Sequence, residues 1–178
     1  MPIPLRLPDR PHDGVVVLDG YTLADAEAHW ESEDEEIWTR FSAPRHSTLD
    51  EVRAAIERWI AARAASGNPN FCYAIRAADA VVGGCELRWL DSENGSVAVS
   101  YWCYPAFPGR GFIGRALQLV VAELAVSGAK QIEAHVEHDN LSSRRVVERA
   151  GFIKRGIVLG DSRSGETKER LRYIRPVS

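Results

Sequence analysis

Pro108-Gly109-Arg110-Gly111-Phe112-Ile113-Gly114-Arg115-Ala116-Leu117 is a glycine-rich turn that runs straight into an apolar helix. Glycine lets the backbone turn tightly and approach a ligand closely, and the first N–H groups of a helix have no intrahelical acceptor. With the positive end of the helix dipole behind them, these groups form a nest for an anion, and phosphate is the anion expected. Gly109-x-Gly111-x-x-Gly114 also matches the dinucleotide-binding fingerprint letter for letter. Its surroundings do not match. The fingerprint belongs at the tip of the first strand of a βαβ unit, whereas Pro105-Ala106-Phe107-Pro108 intervenes here and several strands come earlier. No Gly-Lys-Ser/Thr follows, which removes a Walker P-loop.

Working outward from the loop, Leu117, Val120, Val121, Leu124 and Ala125 recur at helical spacing until Gly128 supplies a C-terminal stop. Ile132, Ala134 and Val136 then alternate with polar residues, predicting a half-buried strand over 131–137. A helix is expected over 140–150, ending at Gly151, and strands over 152–158 and 170–175 joined by a turn at 160–165. Upstream, β-branched and aromatic residues predict strands over 71–76, 81–89 and 96–104, with Asp91-Ser92-Glu93-Asn94-Gly95 as hairpin turn chemistry. Before these come a first strand at Val15-Val16-Val17-Leu18 and two helix starts of capping-box form, Thr22…Asp25 and Thr48…Glu51. The second leads a helix with Val52, Ile56, Trp59 and Ile60 on one face, ending before Gly67-Asn68-Pro69. This order predicts a mixed α/β sheet flanked by helices.

The chain has 178 residues, 45% hydrophobic and 26% charged, in the size range of one domain, so residues 1–178 are expected to form a single unit. A net charge of -3 argues against nucleic-acid binding through a general basic field. Residues 1–13 are rich in proline and charge without an apolar run, so no signal peptide or membrane span is expected there and a cytoplasmic location is. Cys72, Cys85 and Cys103 have no CxxC spacing and sit in apolar surroundings, which predicts reduced core thiols and no metal site.

Ser100-Tyr101-Trp102-Cys103-Tyr104-Pro105, Gly109-Arg110-Gly111-Phe112, Ala116-Leu117 and later Asp139-Asn140-x-x-Ser143-x-x-Val146-x-Glu148-x-x-Gly151-Phe152 occur in one order and spacing. In these blocks, across 81–173, the chain resembles the GNAT N-acetyltransferase superfamily, and within it the RimJ/RimL type of ribosomal-protein N-terminal acetyltransferases. The resemblance implies a mostly antiparallel sheet with one parallel, splayed strand pair and acetyl-CoA as acetyl donor. It implies that the pyrophosphate lies on the amides of 110–116, which span Arg110, Gly111, Phe112, Ile113, Gly114, Arg115 and Ala116, after the turn at Gly109. Arg110 and Arg115 are then candidates for phosphate contacts, with solvated surface arginines the alternative. Backbone groups of Trp102, Cys103 and Tyr104 would pair with the pantetheine arm. Asn140 either binds that arm or caps its helix.

Acetyl transfer to an amine needs a neutral amine, donors for the carbonyl oxygen and a proton for the leaving thiolate. Many relatives carry a tyrosine where this chain has Val147. The RimL-like pattern puts a serine at Ser143, which the resemblance implies lies near the coenzyme sulfur, while helix capping is the plainer role. Relatives often place a glutamate where this chain has Ala98, which leaves a water-mediated base or a carboxylate from another element; Glu86, a charge interrupting an apolar strand, is the candidate, with an exposed-face residue the alternative. Cys103 has no histidine nearby in sequence and reads as a core thiol, not a nucleophile. For the acceptor, Glu31, Glu33, Asp34, Glu35 and Glu36 form an acidic cluster that would attract a cationic amine, with Trp38 and Phe41 as an apolar wall; a solvated helix end and core packing are the alternatives. The acceptor classes are a protein N-terminal amine or a small amine such as an antibiotic, polyamine or amino acid. The departures at Val147 and Ala98 also suit a non-catalytic acyl-CoA sensor. The resemblance leaves room for a homodimer.

Overall fold

The alternating β-branched and aromatic residues of the central segments form a meander of β2 (Asn70–Ala77), β3 (Ala80–Asp91) and β4 (Ser96–Cys103). This is seen in a computed structural model that describes residues 10–40, 45–65, 70–161 and 167–177. The β3–β4 turn follows its sequence: Asp91 Oδ1 accepts from the N–H groups of Glu93 and Asn94 at 3.1 and 3.0 Å, and Gly95 takes φ +71°. β1 (Val17–Asp19) adds to β2, while β5 (Gln131–Glu137), β6 (Ile153–Asp161) and β7 (Thr167–Pro176) complete a seven-stranded sheet of order β1-β2-β3-β4-β5-β7-β6. Every pairing is antiparallel except β4–β5, which is parallel. A parallel pair needs a crossover, and the glycine loop with α4 (Phe112–Leu124) supplies it.

Ile113, Ala116, Leu117, Val120, Val121 and Leu124 are buried along one face of α4, and Gly128 at φ +80° ends the turn that follows. Together with α5 (Leu141–Arg149), α4 covers one face of the sheet, over a core that includes Val97, Val99, Ile132, Ala134, Val147 and Tyr173. The opposite face carries a smaller core of Tyr21, Val52, Ile56, Cys72, Ala74 and Tyr104 beneath α1 (Ala26–Ser32) and α3 (Leu49–Ala64). Both expected helix starts hold. Thr48 Oγ1 accepts from Glu51 N–H at 3.2 Å while Glu51 answers to Thr48 N–H at 2.7 Å, and Asp25 accepts from Thr22 N–H at 2.7 Å.

Within the acidic cluster, Glu31 lies in α1, while Glu35 and Glu36 begin a helix of their own, α2 (Glu35–Arg40). Asp34 Oδ1 accepts from Ile37 N–H at 2.8 Å, and carboxylates in a first turn favour the helix dipole. The stop expected at 67–69 and most of the turn at 160–165 lie outside the described residues. Among the described residues no helix is long and apolar enough to cross a membrane.

Candidate active site

β4 and β5 are paired only at Ser96–Gln131, Val97–Ile132 and Ala98–Glu133. Beyond that the strands part, and residues 99–103 and 134–137 line the two sides of a cleft of about 820 Å³. The closed end is held by Glu133, which is 4% exposed. Its carboxylate accepts from Arg172 Nε at 2.7 Å and Nη2 at 2.5 Å, from Ser96 Oγ at 3.0 Å and from Gln131 Nε2 at 3.0 Å. The Arg172 guanidinium holds the Glu133 carboxyl down at about 2. One carboxylate therefore ties β4, β5 and β7 together where the cleft begins.

The glycine loop forms the mouth of the cleft. Gly109 and Gly111 adopt φ +69° and +76°, a region closed to most side chains, which explains two of the three glycines. Arg115 N–H reaches Gly111 O at 3.1 Å and is the first amide in the helical ladder, so those of Gly111, Phe112, Ile113 and Gly114 stand outside it. A Cβ at Gly109, Gly111 or Gly114 would meet nothing within 4 Å, so the cradle is open on its ligand side. The nest is narrower than 110–116: the amides of Arg115 and Ala116 are spent within α4. Arg115 turns its guanidinium to Asp13, at 2.7 Å, and Ala116 is buried in the core. Arg110 lies at the mouth with its guanidinium 5.6 Å from the centre of the Phe107 ring.

The cleft passes through the sheet, so its walls differ on the two faces. On the α4/α5 side, Asn140, Ser143, Val146 and Arg149 recur at three-residue spacing and line it from α5. Ser143 Oγ shares a 2.6 Å hydrogen bond with the Tyr101 hydroxyl, which reaches across from β4; burial pushes Tyr101 up to about 12, so it keeps its proton. Asn140 Oδ1 accepts from Ser143 N–H at 3.1 Å, which bears out the capping role, and the residue also lines the cleft. On the α1/α3 side, Glu86, Arg88, Ala98, Ser100, Trp102 and His135 line it. Glu86 is partly buried and sits opposite Ser100 in the β3–β4 ladder.

Tyr104 N–H donates to Val82 O at 2.9 Å. Backbone groups alternate in direction along a strand, so those of Trp102 also point to β3, while those of Val99, Tyr101 and Cys103 face the gap. Of the three residues expected to pair with a pantetheine arm, only Cys103 presents its amide there. Its thiol is not fully buried, unlike those of Cys72 and Cys85; it lines the cleft and turns back to Phe107 O at 3.4 Å. The Trp102 ring occupies the space a side chain at Gly84 would take, and its centre lies 6.5 Å from that of Tyr21 and 6.3 Å from that of Trp59. The glycine pair Gly83-Gly84 was the unread signal for this close approach.

Of the acidic cluster, Asp34 and Glu36 line the cleft, together with Ile37; Glu35 and Trp38 do not, and Phe41 lies outside the described residues. Arg88 and Arg149 escaped sequence reasoning, and Tyr101 and His135 read as core packing and solvated alternation, because nothing in their spacing tells which strand or helix face meets the gap. Among the described residues no cluster of metal-ligating side chains occurs.

A mixed sheet that parts between its one parallel pair, beside a glycine-rich amide nest, has the architecture of a GNAT-type acetyltransferase. A family model described as the acetyltransferase (GNAT) domain matches residues 16–153, and the chain belongs to that family. It is similar to the uncharacterized N-acetyltransferase p20 of Bacillus licheniformis, with 29% identity over 89 residues, 49% of this chain and 50% of that protein. The match thus spans about half of that relative's length. Among solved structures, it resembles the microcin C7 self-immunity acetyltransferase MccE in complex with acetyl-CoA and AMP, with TM-score 0.79, 17% identity and coverage of 93% and 94%. It also resembles RimL, the ribosomal L7/L12 alpha-N-protein acetyltransferase in complex with coenzyme A, with TM-score 0.78, 16% identity and coverage of 99% and 98%.

Proposed function

We propose that the protein transfers an acetyl group from acetyl-CoA to a primary amine, the two bound together and the amine attacking directly. The observation that carries this is the β4–β5 splay, which opens beside four amides left outside the α4 ladder. Acetyl-CoA, when bound, supplies an activated thioester carbonyl and a thiol leaving group. The amides of Gly111 to Gly114 hold its pyrophosphate, assisted by Arg110. Cys103 N–H offers a donor to the carbonyl oxygen as it gains charge. The Ser143–Tyr101 pair holds a proton at Ser143 Oγ for the departing sulfur, and a thiol near ~8.5 asks little of its acid. Glu86, across the sheet, takes a proton from the incoming amine.

The acceptor is a small amine or a protein N-terminus, entering from the α1/α3 side of the sheet between α2 and β3. Calorimetry with acetyl-CoA, paired with thiol release over a panel of amino acids, polyamines and Ala- or Ser-starting peptides, tests this. The expected result is binding together with amine-dependent thiol release. Binding without release on any acceptor would favour a sensor; no binding would remove the proposal.

A further inference from the structure

The acceptor half of the cleft has a floor of small residues, Ala98 and Ser100, and a wall with two opposite charges. Glu86 and Arg88 are two residues apart on β3, so both project to the same face, with Cα atoms about 7 Å apart. Glu86 stands opposite Ser100 and Arg88 opposite Ala98, whose methyl group leaves the space beside the guanidinium open. Three other basic groups lie near this wall, and each is engaged. Arg172 is taken by Glu133 at 2.5 Å. Arg170 lines the cleft but lays its guanidinium over Gly160. His135 meets the Glu133 carboxylate at 3.2 Å, and burial holds it below its ordinary value against the upward pull of that carboxylate. Among the described residues Arg88 makes no ion pair, although it faces the same opening as Glu86.

We propose that the acceptor is a zwitterion, a primary amine seated at Glu86 whose own carboxylate, a few bonds away, rests on Arg88. This rests on the acetyltransferase reading of the same cleft and narrows its substrate class. A polyamine places a second cation against Arg88 and is repelled, whereas a carboxylate gains charge-assisted hydrogen bonds from a forked donor. The carboxylate belongs either to a free amino acid or to an acidic residue next to a peptide N-terminus.

Two matched pairs separate these sources: an amino acid against its carboxamide, and Ala-Asp against Ala-Asn peptides with blocked C-termini. Initial rates of thiol release at fixed acetyl-CoA give kcat/KM for each. The expected result is a preference of about tenfold or more for the carboxylate member of one pair. Arg88→Gln brings that ratio toward one mainly through KM, and Arg88→Lys restores part of it, while acetyl-CoA calorimetry reports that each variant is folded. Turnover of both members within about twofold of each other, a difference under 0.5 kcal/mol, overturns the zwitterion and leaves the acetyltransferase reading intact. A preference that survives Arg88→Gln overturns the role of Arg88. Absence of thiol release with every acceptor overturns the acetyltransferase reading and this inference with it.

Discussion

In the proposed mechanism Ser143 carries the proton for the departing sulfur and the Tyr101 hydroxyl supports it. The 2.6 Å bond between them ties α5 to β4 across the cleft, and Tyr101 stays protonated because burial pushes it up to about 12. Ser143→Ala is expected to lower kcat by about tenfold to a hundredfold with little change in the KM for acetyl-CoA, the range for loss of a modest general acid. Tyr101→Phe should lower kcat less, since Ser143 Oγ remains, and steady-state kinetics on both variants checks the order. Glu86→Gln is expected to lower kcat/KM for the amine while leaving acetyl-CoA binding intact. An unchanged kcat/KM would move the base elsewhere. Glu86 stands out in the sequence as a lone charge in an apolar strand, whereas Ser143 enters only through the family resemblance. Tyr101 does not stand out, since an aromatic in a strand carries no local mark of which gap it will face.

At the scale of elements, the loop and the start of α4 separate stability from function at a single position. Gly114 has ordinary φ and open space around an added Cβ, yet it lines the cleft in the first turn of α4. Alanine there should raise helix stability by up to ~1 kcal/mol and place a methyl where the coenzyme is proposed to lie. Gly114→Ala is therefore expected to melt at the same temperature or higher while binding acetyl-CoA more weakly, as read by thermal denaturation and calorimetry. Gly111→Ala, at φ +76°, should lose on both measures. Glycines marked the anion nest from sequence because conformational need and ligand approach both select them. The extent of the nest was not legible: which amides remain unpaired depends on where the helix ladder begins, and that is set by the Arg115–Gly111 bond. The α2 helix was read only as charge, since at six residues it is too short for an apolar period to show.

Across the whole molecule, the sheet is continuous on one side of the Ala98–Glu133 pair and divided on the other, and the Glu133–Arg172 pair stands at that boundary. Glu133 is held at about 2, below its ordinary 4.5, so its stabilisation is fully present above about 4.5 and is lost as pH falls from there toward 2. Urea midpoints should show Glu133→Gln less stable than the parent at pH 7, with the gap closing between pH 4.5 and 2.5. A gap independent of pH would contradict the role of the ion pair. The order of strands and helices was legible from periodicity, and the family resemblance implied the splay. The wall of the cleft on the α1/α3 side was not legible, because it is assembled from β3, β5 and α2, which meet only once the sheet has closed. The central claim is that the splay holds acetyl-CoA with its thioester beside Ser143. A crystal structure with acetyl-CoA tests it directly. The pyrophosphate should lie on the amides of Gly111 to Gly114 and the thioester between Cys103 and Ser143. Coenzyme bound outside the β4–β5 gap, or with its sulfur out of reach of Ser143 Oγ, would contradict the claim.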